Sequence, residues 1–420
     1  MKLDPYANNI LVQGLGQLLD DKEVMKRLLY LPEKPTNIHT LTITERRHHL
    51  MSLLDFHIPS KKSVHIYQSI DSLLRQSYRY RDPNRTSTWR TLNGEMIEQQ
   101  MPRSPALATA IAGHAGTGKT ESILRTFGCY PQQVIKHDNF PKLVGPHYQV
   151  SWLTVDIPDT GRSADLATNL MRAWDAAMAK YNPTYTPRFE QELAKSRRNG
   201  GQMLDEWRQV ALSHFLGILH LDEIQNLFKL ATLKQRRATY TPNNPPELSI
   251  VEDQSLRWIL SLLNTWQIAV VVSGTPDGIG ALTKRLSTTQ RIITGGYHKI
   301  VTLTQPNSGE FKELFFEQLI HYQYVNKPIN DSAEFRQLIL DLTAGIPRVI
   351  IALWFAAHKV SFERGGNDLR FDDFEKASKT LLSPIRQAVT ALNSGDPILM
   401  AQYEDLMPLD DAIWASIWGS

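Results

Sequence analysis

One stretch constrains this chain more than any other. Residues 113–120 read Gly-His-Ala-Gly-Thr-Gly-Lys-Thr, after the apolar run ALATAIAG (106–113) and before ESILRTF, which has helical spacing. Gly113, His114, Ala115, Gly116, Thr117, Gly118, Lys119 and Thr120 fit the phosphate-loop pattern GxxxxGK[ST] at every position. Glycines let the backbone turn so that successive N–H groups converge on one anion, and the helix that follows adds its positive end. Lys119 neutralises the β- and γ-phosphates of a nucleotide, and the Thr120 hydroxyl is a ligand for Mg2+. Glu121 follows in the same helical turn and is grouped with the nucleotide-binding residues. His114 is assigned no role beyond its backbone, because the variable positions of the loop accept many residues. A strand leading in and a helix leading out require an α/β domain.

A phosphate loop needs an acidic site opposite. FLGILHLDEIQNL (215–227) ends an apolar strand in Asp222 and Glu223. Asp222 is expected to hold the Mg2+ water shell, and Glu223 to orient and deprotonate the attacking water. IAVVVSGTPDG (268–278) ends another apolar strand in hydroxyl residues. One of these can sit between the acids and sense the γ-phosphate, with Thr275 the first choice and Ser273 the second. AGIPRVI (344–350) places Arg348 in a first helical turn, from which a guanidinium can reach back over the nucleotide. TKRLSTTQRIITGG (283–296) offers Arg285 and Arg291 as candidate arginine fingers toward a neighbouring subunit, and the choice between them stays open.

The rest of the chain supports this frame. YQVSWLTVDI (148–157), HFLGILHLD (214–222), IAVVVSGT (268–275) and HKIVTL (298–303) are apolar runs without helical period, as in parallel strands covered on both faces. Between them, Leu166, Leu170, Trp174 and Met178 form one helical stripe, and Leu256, Ile259, Leu260 and Leu263 another. Beyond residue 305 the strands give way to four expected helices: SGEFKELFFEQLIHYQYV, DSAEFRQLILDLTAG, IPRVIIALWFAAHKV and RFDDFEKASKTLL. Ser308 and Asp331 are read as N-caps, Gly345 as a terminator and Pro347 as a first-turn residue. The expected division is a helical N-terminal extension making partner or oligomer contacts (1–100), an α/β nucleotide-binding core (101–305), a helical lid (306–385) and a C-terminal helix with a docking tail (386–420).

Bulk composition excludes little but does exclude some classes. Lys and Arg number 46 against 43 Asp and Glu, so any case for nucleic acid must rest on local clusters. The single cysteine, Cys129, rules out an internal disulfide framework or a cysteine-built zinc site and fits a reducing cytosol. No apolar window is long enough to span a bilayer, and no leader-like start is evident, so a cytoplasmic, DNA-associated bacterial protein with no membrane partner is expected.

Phosphate loop, acidic pair, sensor position and a lid with GxPR, in that order over about 105–385, resemble an AAA+ ATPase. GHAGTGKTESILRTFGCYPQQVIKH, VDIPDTGRSADL, HLDEIQNL and VVVSGTPDG, with DPYANNILVQGLGQLL and SLLRQSYRYRDPNR upstream, resemble the TnsC branch of the TnsC/TniB transposition regulators. The likeness covers most of the chain. It implies an ATP- and Mg2+-dependent regulator of a Tn-seven-like transposon that forms a hexameric or heptameric ring, or a helical filament, on double-stranded DNA. It further implies recruitment by a TniQ- or TnsD-type target selector, activation of a TnsA/TnsB-type transposase, and kinship with Orc/Cdc6-like initiators. Two departures from the family are a long segment at 232–250 and the sequence STTQRIITGGYH in the finger region.

DNA contacts have their own candidates. FKLATLKQRRATY (228–240) carries Lys229, Lys234, Arg236 and Arg237, and DIPDTGRSADL (156–166) carries Arg162 before a helix. In a ring, such side chains repeated from each subunit would contact phosphates without reading bases. The tail AQYEDLMPLDDAIWASIWGS (401–420) sets aromatics among acids, as in a peptide that folds on a partner such as a transposase. The competing readings are an initiator or helicase-loader ATPase outside transposition, and an adaptor that binds ATP without turnover. Glu223 argues against the adaptor.

Overall fold

The computed structural model describes residues 6, 8–93, 107–195, 199–229, 249–251, 253–283, 291–365, 367–396 and 399–400. The strands are β1 (Ala108–Ala112), β2 (Val134–His137), β3 (His147–Val150), β4 (Trp152–Asp156), β5 (Ile218–Asp222), β6 (Phe228–Lys229), β7 (Ser249–Ile250), β8 (Ala269–Gly274) and β9 (Tyr297–Lys299). Five of them form a parallel sheet in the order β4-β5-β8-β1-β9. Every residue of β1, β5 and β8 is buried, whereas β4 and β9 alternate. Continuous apolar runs therefore mark the middle of the sheet and alternation marks its edges. The fold is α/β, a parallel sheet between helices with further helical regions before and after it in the chain.

Two sequence expectations for strands need correction. YQVSWLTVDI is two strands: β3 pairs antiparallel with β2, and only after Ser151 does the chain enter the main sheet as β4. HKIVTL contributes only its first residues, because β9 pairs with β1 alone and ends at Lys299.

Helices cover both faces. On one side Leu166, Leu170 and Trp174 of the helix Ser163–Tyr181 join Trp207 and Trp258 in the largest core cluster. The other side is covered by the N-terminal helix Lys61–Tyr80. Its Ile66, Ile70, Leu73, Leu74 and Tyr78 recur at helical spacing and pack with Ile111, Phe127, Ile218 and Val271. Within this helix Arg75 Nε donates to Asp71 at 2.9 Å with both side chains nearly buried, and Tyr130 Oη donates to the same carboxylate at 3.1 Å.

The C-terminal helices form a second core around Phe311, Phe316, Phe335, Trp354 and Phe374, and Ile38, Leu50, Leu53 and Phe56 from the N-terminal region insert into it. The N-terminal segment thus joins the lid core through residues 38–56, and the sheet core through residues 11–15 and the helix Lys61–Tyr80.

The lid corrects two further expectations. The helix expected over 308–325 is a π-helix, Gly309–Phe316, followed by one α turn, Glu317–Leu319. The wider turn lets Phe311, Phe315 and Phe316 all enter the lid core. Ser308 caps it as expected, its side chain accepting from the Phe311 N–H. The N-cap of the next helix, Ala333–Thr343, is Ser332 rather than Asp331. Asp331 instead pairs with the buried guanidinium of Arg336, which needs an anion more than the helix end does. No single helix among the described residues is long and apolar enough to cross a membrane.

Candidate nucleotide-binding site

Strand order gathers the site. With β8 lying between β1 and β5, the carboxyl ends of all three strands fall side by side, in the register Ala112↔Gly274 and Leu221↔Val272. That end of an open parallel sheet, where the chain order reverses, is where ligands bind.

The loop after β1 has the form that its glycines allow. Gly116 and Gly118 lie at φ +78 and +88, and a Cβ on Gly116 would press on Ile346 and Arg348 at 3.0 and 3.2 Å. Thr117 Oγ1 donates to the His114 carbonyl at 2.7 Å, closing the turn, and Lys119 Nζ donates to that same carbonyl at 3.2 Å. Lys119 is 7% exposed, so its ammonium is held over the loop rather than in solvent. Glu121, on the outer side of the helix, pairs with Arg125 one turn on.

Across from it, Asp222 is 2% exposed. Its Oδ2 accepts from Thr120 Oγ1 and its Oδ1 from Ser273 Oγ, with a third hydrogen bond from the Glu223 N–H at 2.9 Å. Burial opposes its charge, but His220 beside it and these three donors hold its pKa below the ordinary value. Glu223 begins the next turn at φ +53, a left-handed conformation uncommon for a non-glycine residue. Burial, then the charge of Asp222, raise its pKa above the usual carboxylate value. Its carboxylate accepts from Gln225 Nε2, and Gln225 Oε1 accepts from the Thr275 N–H at 3.1 Å.

The structure distinguishes the two sensor candidates. Ser273 touches Asp222; Thr275 does not, and its Oγ1 accepts from Gly278 N at 3.3 Å, at the start of the helix Pro276–Thr283. Thr275, one position beyond the strand end at Gly274, instead stands immediately before that helix.

Arg348 does come to the loop. Its N–H donates to the Gly116 carbonyl at 3.3 Å, while its side chain is exposed. Arg291 is exposed ahead of β9, and Arg285 lies outside the described residues. Arg162 is exposed at the start of the helix Ser163–Tyr181. The loop before it is anchored to the segment after Glu223: Asn226 Nδ2 donates to the Ile157 carbonyl at 2.9 Å and to Asp159 Oδ1 at 3.3 Å. That segment runs into the β6–β7 pair, and Gly161, next to Arg162, lies against the Asn226 carbonyl and Val251 at its base. Lys234, Arg236, Arg237 and the tail 401–420 lie outside the described residues, as does the side chain of Lys229.

One part of the site carries no sequence motif. A cavity of about 180 Å³ adjoins the loop at Thr117 and Gly118 and is lined by Phe56 and His57 of the N-terminal region, by Lys62 at the start of the helix Lys61–Tyr80, by Lys299 at the end of β9, and by Phe315 and Pro347 of the lid. Burial and the nearby Arg125 push His57 down to about 3. Because these N-terminal residues lie more than fifty positions before the loop and show no pattern, only the folded chain reveals them.

The residues fit a magnesium–nucleotide. The loop's glycines take the left-handed turn, an ammonium is held over the loop, and the hydroxyl and carboxylate needed by a hard cation already face each other. Thr120 and, through water, Asp222 would hold Mg2+, which when bound would neutralise charge on the β- and γ-phosphates.

The site and sheet define an α/β phosphate-loop nucleotide-binding domain. The family model described as "AAA domain" matches residues 102–282. No curated protein matches the chain in sequence. Among solved structures, the Walker-type ATPase PABY2304 of Pyrococcus abyssi is similar at 13% identity and TM-score 0.37, over 70% of this chain and 72% of its own. The ORC2 protein of Aeropyrum pernix, solved as ADPNP–ADP complexes, is similar at 13% identity and TM-score 0.39, over 74% and 67%.

Proposed function

We propose that this chain is an ATP-hydrolysing switch that binds double-stranded DNA and regulates transposition. The observation that carries the ATPase is the half-buried contact of Thr120 with Asp222, the phosphate-loop hydroxyl meeting the strand-end acid. In the proposed reaction Lys119 and the loop amides hold the triphosphate, and Ser273 fixes Asp222. Glu223 takes a proton from the attacking water, for which its raised pKa suits it. Arg348, anchored by its backbone to Gly116, reports the nucleotide to the lid. The lid in turn shares its core with Ile38–Phe56, so the N-terminal region moves with it.

The DNA part rests on the TnsC-like sequence blocks and on Arg162 lying beside the base of the basic segment 228–240. Subunits would line a ring or filament channel with these residues, with Arg285 or Arg291 completing a neighbour's site. A TniQ- or TnsD-type selector would load the assembly, and the tail 401–420 would dock a TnsA/TnsB-type transposase.

Glu223→Gln tests the reaction. It should keep ATP affinity and lower turnover by about 10²–10⁴-fold, the usual contribution of a general base. Unchanged hydrolysis would remove Glu223 from its role. Electron microscopy of this variant with duplex DNA and ATP should show rings or filaments; a nucleotide-indifferent monomer would contradict the assembly.

A further inference from the structure

The buried strand β5 carries a histidine, His220, where a parallel-sheet centre otherwise holds aliphatic residues. It is fully buried, and its Nε2 lies 2.7 Å from Ser273 Oγ on β8. Ser273 has a single hydroxyl proton, and the carboxylate of Asp222 can only accept, so that proton goes to Asp222 Oδ1. Ser273 Oγ must then accept, and His220 must donate from Nε2–H. The other nitrogen agrees: Nδ1 is buried and meets no hydrogen-bond partner among the described residues, tolerable for a lone pair but costly for an N–H.

We infer that His220 is a positioning residue which, through Ser273, locks Asp222 Oδ1 so that Oδ2 is kept for Thr120 and the metal. This rests on the nucleotide reading above. The chain His220–Ser273–Asp222–Thr120 runs across β5, β8 and the loop helix, and each link has one possible direction. His220 touches neither nucleotide nor metal; its effect is on the orientation of the carboxylate, as with partners that orient metal ligands elsewhere.

The test is Mn2+ binding to the full chain with a non-hydrolysable ATP analogue, followed by electron paramagnetic resonance. His220→Leu should weaken Mn2+ about tenfold while leaving analogue affinity without divalent metal unchanged, and Ser273→Ala should weaken Mn2+ by a similar factor. The double variant should be no weaker than either single, since both break one chain. His220→Gln, whose amide reaches the Nε2 position, should restore affinity, and His220→Asn, whose amide falls short, should not. A folded His220→Leu with wild-type Mn2+ affinity overturns the inference, as do single losses that add. Should His220→Leu fail to fold, equal affinities for the Gln and Asn variants overturn it. A wild-type chain that binds no analogue at all sinks the nucleotide reading itself, and that outcome is distinguishable from the others.

Discussion

Gly345 shows how a single position ties the lid to the sheet. It lies at φ +64, and a Cβ there would come within 1.7 Å of the Leu303 carbonyl oxygen, on the segment leaving β9. The Leu303 N–H donates to the Gly345 carbonyl at 2.9 Å, so neither strand of backbone can retreat without losing that bond. Gly345→Ala should therefore cost more than about 2 kcal/mol, read as a lower urea midpoint; a change within 0.5 kcal/mol, roughly the size of a neutral surface substitution, would show that the junction yields. At this scale the sequence is most informative. Gly113–Thr120 and Asp222–Glu223 were legible because their chemistry is local and their spacing fixed by the loop. Which of Ser273 and Thr275 meets Asp222 was not legible, because one residue more of strand before the turn decides which hydroxyl faces that acid. His220 and Gln225 gave no signal, since a buried histidine and a glutamine acquire meaning only from the neighbour across the sheet.

Among the elements, the N-terminal helix Lys61–Tyr80 departs most from its reading as an extension. Its helical period was visible, but what its apolar face covers was not, because the sheet it packs on begins about thirty residues later. The Asp71–Arg75 pair lies in this interface with side chains 11% and 3% exposed. Asp71→Ala would leave the guanidinium buried without its carboxylate and remove the acceptor of Tyr130. A loss of about 3 kcal/mol or more is expected in thermal unfolding, as for other broken buried pairs. Replacing both residues by leucine should recover much of that loss. Equal stability of Asp71→Ala and the wild type would mean that the helix is dispensable to the sheet.

For the whole molecule, the folded state holds several histidines neutral. Burial lowers His220, His298 and His358 to about 4, and burial with His214 and His137 nearby does the same to His147. Each stays neutral in the folded chain while its unfolded counterpart takes up a proton below the ordinary pKa near 6.5. Stability is thus complete above about pH 6.5 and falls as pH drops toward 4. His358 sits in the lid core, its Nε2 accepting from the Tyr324 N–H at 3.1 Å and its Nδ1 2.7 Å from the Trp354 carbonyl. Its share of the acid loss is at most about 3 kcal/mol. Unfolding followed from pH 7 to 4 should be shallower for His358→Gln than for the wild type; identical slopes would assign the acid sensitivity elsewhere.

Everything in the account returns to whether the loop after β1 holds a nucleotide. Isothermal calorimetry of the full chain with Mg2+–ATP decides this directly. Binding that Lys119→Ala abolishes, with the variant still folded by circular dichroism, is the predicted result; no binding by the wild type, or binding that Lys119→Ala leaves intact, would contradict it.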